Sequence, residues 1–139
     1  KDYAIDAALT HNHYCLNDTR LLELLPLAAE KGIGVINASP FGSGLLTDRG
    51  PADRHPANAE QRACFKQAAD FCRDQGFSIS ELALQFSSQH PDIPTTMFSS
   101  ASSDSVKRNV AWHETAYDPE MVQQVQSILA PVMNEQWCY

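Results

Sequence analysis

Four groups of residues have types and spacings that could do chemistry. The first is the serine-rich run Ser99-Ser100-Ala101-Ser102-Ser103-Asp104-Ser105, with Asn109 four residues on. Where such a run opens a helix, free backbone N–H groups and hydroxyls converge and can hold an anion. The same serines also serve as an ordinary loop and helix cap. The second is Ser39-Pro40-Phe41-Gly42-Ser43-Gly44-Leu45, whose paired glycines on their own mark a turn. The third is His11, His13 and Cys15. On a strand, residues two apart face one side, so these could approach a metal; a strand end at the barrel mouth explains them better. The fourth is Tyr14, which could act as an acid only beside a group such as Lys that lowers its pKa.

Four cysteines are present, Cys15, Cys64, Cys72 and Cys138, and their spacing fits no zinc pattern. Cys64 and Cys72 would stand about 12 Å apart along one helix, too far for a disulfide. Reduced thiols and the absence of a signal-peptide pattern lead us to expect a cytoplasmic protein. The net charge of -7 argues against non-specific nucleic-acid binding, which needs clustered cations. No apolar run approaches the roughly 20 residues that span a bilayer. The chain opens at Lys1 without a Met, as a piece of a longer protein would.

The elements that must position these groups follow from periodicity. Ile5 to Thr10, Gly34 to Ala38 and Asp92 to Phe98 read as buried strands. Leu21, Leu22, Leu24, Leu25, Ala28 and Ala29 repeat at helical spacing behind the capping residues Asn17-Asp18-Thr19; Pro26 inside that run predicts a kink. Ala59 to Gln75 is a strong helix. Ser78 to Glu81 caps another, Ser102-Ser103-Asp104 opens a third, and Asp118-Pro119 starts the last. The stretch from Ser39 to about Ala57 reads as a long surface loop. Strands alternating with helices predict an α/β domain over residues 1–139 with parallel strands and right-handed crossovers. Three strands with helices on one side leave a face uncovered, and parallel sheets are normally buried on both.

Two segments carry a family likeness. Gly32 to Thr47 resembles the seventh strand and following loop of aldo-keto reductases, and Ile93 to Asn109 resembles their eighth strand and the start of its helix. Asp6 to Asp18 is similar to the sixth strand, and Leu82 to Phe86 to the helix before the eighth. The motifs His13-Tyr14, Asn17-Asp18, Leu24-Leu25-Pro26, Ala38-Ser39-Pro40, Gly50-Pro51 and His55-Pro56-Ala57 resemble the branch of aldose dehydrogenases that oxidise sugars such as L-galactose and L-fucose. The resemblance implies part of a (β/α) TIM-type barrel, strands six to eight with four to five flanking helices. A whole barrel takes about 250 residues.

The parent chemistry it implies is hydride transfer between a sugar and NAD or NADP. The family's Asp, Tyr, Lys and His tetrad matches no residue here, so no catalytic residue and no metal ligand is expected. The cofactor end is matched. Ser39, Pro40, Phe41, Gly42, Ser43, Gly44 and Leu45 would surround the pyrophosphate. Ser99, Ser100, Ala101, Ser102, Ser105 and Asn109 would lie near the adenosine, with Asn109 on adenine. Short side chains at Ser99, Ala101 and Ser105, where relatives often have other groups, favour NAD over NADP. Three functions then compete: a dinucleotide-binding, non-catalytic portion; a part of a complete sugar dehydrogenase; and a module that self-associates through the exposed barrel edge, using inward-facing Ile5, Leu9, Val35 and Phe98. No nucleic-acid or membrane partner is expected.

Overall fold

The computed structural model describes residues 4–135 and 137; Cys138 and Tyr139 lie outside them. Three strands form one sheet in the order β1 (Ala7–His11), β2 (Gly34–Ala38), β3 (Thr95–Met97). Both pairings are parallel. Five α-helices connect and follow the strands: α1 (Leu25–Glu30), α2 (Ala59–Asp74), α3 (Ile79–Ser88), α4 (Ser103–His113) and α5 (Pro119–Ile128). This is the expected open segment of an α/β barrel.

The strands are shorter or displaced where chain geometry intervenes. β1 starts at Ala7 and runs to His11. His13 therefore lies beyond the strand, and the shared-face argument for His11 and His13 does not hold. β3 keeps only Thr95 to Met97, because Pro94 has no N–H to give to a ladder. The predicted kink at Pro26 is a full break. A 3-10 turn (Arg20–Glu23) ends at Leu24, and α1 restarts with Pro26 in its first turn, where the missing N–H costs nothing.

Register separates the two faces of the sheet. Val35, Asn37 and Thr96 point to the helices: Val35 and Asn37 are buried, and Thr96 Oγ1 donates to the Ser87 carbonyl of α3 at 2.8 Å. The other face carries Leu9 level with Ile36 and Thr95, and His11 level with Ala38 and Met97. Leu9 is 54 % exposed and Met97 49 %. Of the four side chains expected on this open face, Leu9 is there, and Ile5, 55 % exposed, precedes β1. Val35 is not there: it is 7 % exposed and faces the helix layer, since odd and even strand positions alternate. Phe98 is half-buried and packs edge-on to Phe41 at 6.2 Å.

The core lies on the helix side, where Leu16, Leu21, Leu45, Leu46, Phe65, Ile79, Leu82 and Leu129 are buried. Each long helix is capped by its own sequence. Asn58 and Gln61 form a reciprocal capping box on α2, Ser78 caps α3, Ser102 caps α4 and Asp118 caps α5. The stretch between β2 and α2 is less superficial than expected. Leu45, Leu46, His55 and Ala57 are buried, and Arg62 fastens the stretch with bonds to the carbonyls of Ala52, Asp53, His55 and Ala57. Among the described residues, no helix is long and apolar enough to cross a membrane.

Phe65 anchors the packing, in contact with the Trp137 ring at 5.8 Å. Phe65→Ala should lower unfolding free energy by about 3–5 kcal/mol, while Gln67→Ala, on the exposed side of α2, should stay within about 0.5 kcal/mol. Urea denaturation checks both; equal losses would contradict this placement of the core.

Candidate functional site

The loop leaving β2 makes the first wall of the site. Ser39 donates its N–H to the Met97 carbonyl at 3.1 Å, extending the sheet by one bond. The chain then folds tightly, with Ser39, Gly42, Ser43 and Gly44 all at positive φ. Gly44 takes φ 101°, which strains any side chain, and an added Cβ would press on Pro51 Cα at 3.2 Å. The N–H groups of Gly42, Gly44, Leu45 and Leu46 donate to carbonyls of the same loop, and that of Ser43 to Ser39 Oγ at 3.3 Å. These five donors are committed within the loop. The next residues are pinned to α3, where Asp48 accepts hydroxyl bonds from Ser78 at 2.6 Å and Ser80 at 2.9 Å.

The opposite wall is the loop after β3 and the first turns of α4. Ser102 Oγ accepts from the Ser105 N–H at 3.3 Å, and Ser100 Oγ from the Ser102 N–H at 3.2 Å. Ser103 and Asp104 occupy first-turn positions, whose N–H groups have no intrahelical acceptor. Ser105, Arg108, Asn109 and Trp112 follow at helical spacing and share one face. The Arg108 guanidinium lies 5.0 Å above the Trp112 ring and donates to Ser105 Oγ at 3.3 Å.

Between the walls is a cleft of about 640 Å³. Ser99, Ser100, Ala101, Ser102, Ser105 and Asn109 all line it, so the second predicted cluster is brought together. Of the first cluster only Phe41 reaches it. Ser39, Pro40, Gly42, Ser43 and Gly44 shape the wall behind, and Leu45 is buried beside a neighbouring cleft. Sequence reasoning missed Arg49, Arg108 and Trp112, which also line the cleft. The last two were readable, since they fall three residues after Ser105 and three after Asn109 on one helix face.

Asn109 is the distinctive group. The residue is 4 % exposed as a whole, yet it is not among those whose polar atoms are buried without a partner: its amide opens onto the cleft. An amide that faces a cleft can read a ligand that both donates and accepts, as the N6 and N7 edge of adenine does.

The remaining candidates do not meet here. Tyr14 is buried, stacked on Phe86 at 4.9 Å and edge-on to His90 at 5.2 Å. Burial, with a smaller contribution from Tyr117, pushes its phenol up to about 12, the opposite of an activated acid. His13 lies 3.6 Å from the Asp18 carboxylate, which Arg20 also clamps. Burial pushes the Cys15 thiol up to about 12. Among the described residues no His, Cys, Asp and Glu cluster could hold a metal, and Cys15, Cys64 and Cys72 are free thiols.

The sequence matches the Aldo/keto reductase family model over residues 1–130. The chain belongs to the aldo/keto reductase family. It is 39 % identical over 137 residues to L-galactose dehydrogenase of Arabidopsis thaliana, covering 96 % of this chain and 43 % of that protein. Over 121 residues it is 29 % identical to pyridoxal 4-dehydrogenase of Microbacterium luteolum, covering 84 % and 35 %. The aldo-keto reductase AKR11C1 from Bacillus halodurans superposes in its apo form with a TM-score of 0.68 at 27 % identity, over 95 % of this chain and 46 % of that one. Its holo form gives 0.66 at 26 % identity, over 93 % and 45 %. The chain thus spans less than half the length of these relatives. Use of NAD(P)H is typical of the family.

The Tyr14 environment makes a pH prediction. Its folded pKa is raised from 10.0 to about 12, so it contributes stability that is complete below pH 10 and is lost as pH rises through 12. Urea midpoints measured from pH 9 upward should fall more steeply for the native chain than for Tyr14→Phe. Parallel curves would contradict the assignment.

Proposed function

We propose that this chain is the adenosine-binding end of an NAD(P)-dependent oxidoreductase whose substrate is an aldose, and that its own residues bind the cofactor without catalysing hydride transfer. The convergence of Asn109, the α4 serines and Trp112 on one cleft carries this reading, with the Asn109 amide opening onto it. Asn109 would pair with adenine, and the Trp112 ring with its Arg108 partner would offer a stacking surface. The first-turn N–H groups of Ser103 and Asp104 would meet phosphate oxygens. Phe41 closes the wall, and the rest of the loop from Ser39 to Leu45 holds it rigid near the pyrophosphate.

When bound, the cofactor supplies the hydride chemistry through its nicotinamide ring. The proton that accompanies that hydride needs an acid–base group beside the reacting carbon. No residue of this sequence matches the family's tetrad, and Tyr14 has a phenol held neutral by burial. The aldose reading rests on the likeness to a protein described as L-galactose dehydrogenase.

NAD is favoured over NADP. A 2′-phosphate would need a free cation on the α4 wall, whereas there Ser99, Ala101 and Ser105 are short and Arg108 is engaged by Ser105 and Trp112. A cytoplasmic setting goes with the free thiols. A second reading, self-association through the open barrel edge, is favoured by Leu9 and Met97 on the uncovered side and Ile5 just before β1, each about half exposed. Sedimentation equilibrium tests it: a concentration-dependent rise in mass supports pairing, and a monomer at every concentration removes it.

Calorimetry tests the main reading. NAD should bind more tightly than NADP, and Asn109→Ala should weaken NAD at least about tenfold, as loss of a buried hydrogen-bonding group does. Absence of heat at millimolar NAD, or an unaffected N109A, would refute it.

A further inference from the structure

A second cleft, of about 340 Å³, lies on the other side of the Thr47–Arg49 segment, between that segment and α2. The dinucleotide reading leaves it unused, although Arg49 borders both clefts. Its floor is apolar, made by Leu45, Pro51, Phe65 and Ala69. Its rim is cationic: Arg49, Arg62, Lys66 and Arg73 line it against two carboxylates, Asp48 and Asp70. That local positive excess stands out in a chain of net charge -7.

Two carboxylates offset the four cations of the rim only in part. Asp48, held by the Ser78 and Ser80 hydroxyls, acts on Arg73 through its charge at a distance, without an ion pair to it. Asp70 alone is shared by Lys66 at 2.5 Å and Arg73 at 2.7 Å. Both cations are largely exposed, at 73 % and 67 %. Ion pairs this exposed contribute little, so an incoming anion can take the cations over. Arg62 is engaged differently, since its guanidinium donates to the carbonyls of Ala52, Asp53, His55 and Ala57. It fixes the far wall and holds a positive charge there. Arg49 has no hydrogen bond or ion pair to a described residue.

The geometry points to a binding site for a small organic phosphate monoester. Arg49, Arg73 and Lys66 would surround the dianionic head, with an arginine fork able to bind it through two oxygens. The apolar floor would take a flat aryl or short alkyl body. A head with two charges suits three available cations better than a carboxylate does.

The test titrates the full chain with phenyl phosphate and with inorganic phosphate, followed by calorimetry. Phenyl phosphate should bind saturably and more tightly than inorganic phosphate, because only it covers the floor. The double variant Lys66→Gln/Arg73→Gln should lose at least about tenfold in affinity. Asp70→Asn should gain affinity, since it releases both cations at an exposed position. Asn109→Ala should bind phenyl phosphate as the native chain does, which separates this site from the dinucleotide cleft. No saturable binding, equal binding of the two phosphates, or an unchanged affinity in the double variant would overturn the assignment.

Discussion

A parallel sheet stays buried only if something covers both of its faces, because its crossover connections place helices against it and its strand edges carry unpaired backbone groups. In this chain the crossovers supply one cover. Val35, Asn37 and Thr96 press against the helices, while Leu9 and Met97 stand about half exposed on the other side. Every other property of the molecule follows from that one-sided burial. The core forms on the helix side, with α1 and α3 against the sheet and α2 and α5 packed on each other, and Leu9, Ile36 and Met97 share the open side.

The same constraint explains why a site persists in a partial barrel. Barrel enzymes build their sites at the ends of strands, from the loops that follow them. The described cleft needs only two such loops, those after β2 and β3, with the face of α4. Both loops are held by bonds local to this segment: Ser39 to Met97, Asp48 to the serines of α3, and Ser102 capping its own helix. None of these bonds depends on the open face. A group that must approach the reacting carbon from across the barrel has no such local support, and the proposed division between binding and chemistry rests on that difference.

Much of this is legible in the sequence, for physical reasons that can be named. β2 matches its expected span to the residue because Gly34 to Ala38 is short, apolar and bounded by turn signals. The α4 cap and the cleft-lining serines follow from Ser102-Ser103-Asp104. Val35 lies on the face opposite to the expected one because a run apolar on both sides hides which residues alternate inward. Pro26 predicts a kink where the helix in fact restarts, a choice set by the packing of Leu21 and Leu25 rather than by propensity. The Ser39–Leu45 loop is expected to present itself to a ligand. Its chain reversal instead turns its N–H groups inward, a consequence of four successive or nearby positive φ angles that no residue pattern announces. Arg49 escapes the sequence pattern because it lies outside any periodic element.

The central claim is that cofactor binding and acid–base chemistry are divided, with only the former in these residues. Its most direct test is a turnover assay on the purified chain, supplying an aldose and NAD and following formation of the reduced nucleotide. The account predicts no turnover above the uncatalysed background. Sustained turnover at a rate proportional to the concentration of the chain would contradict it.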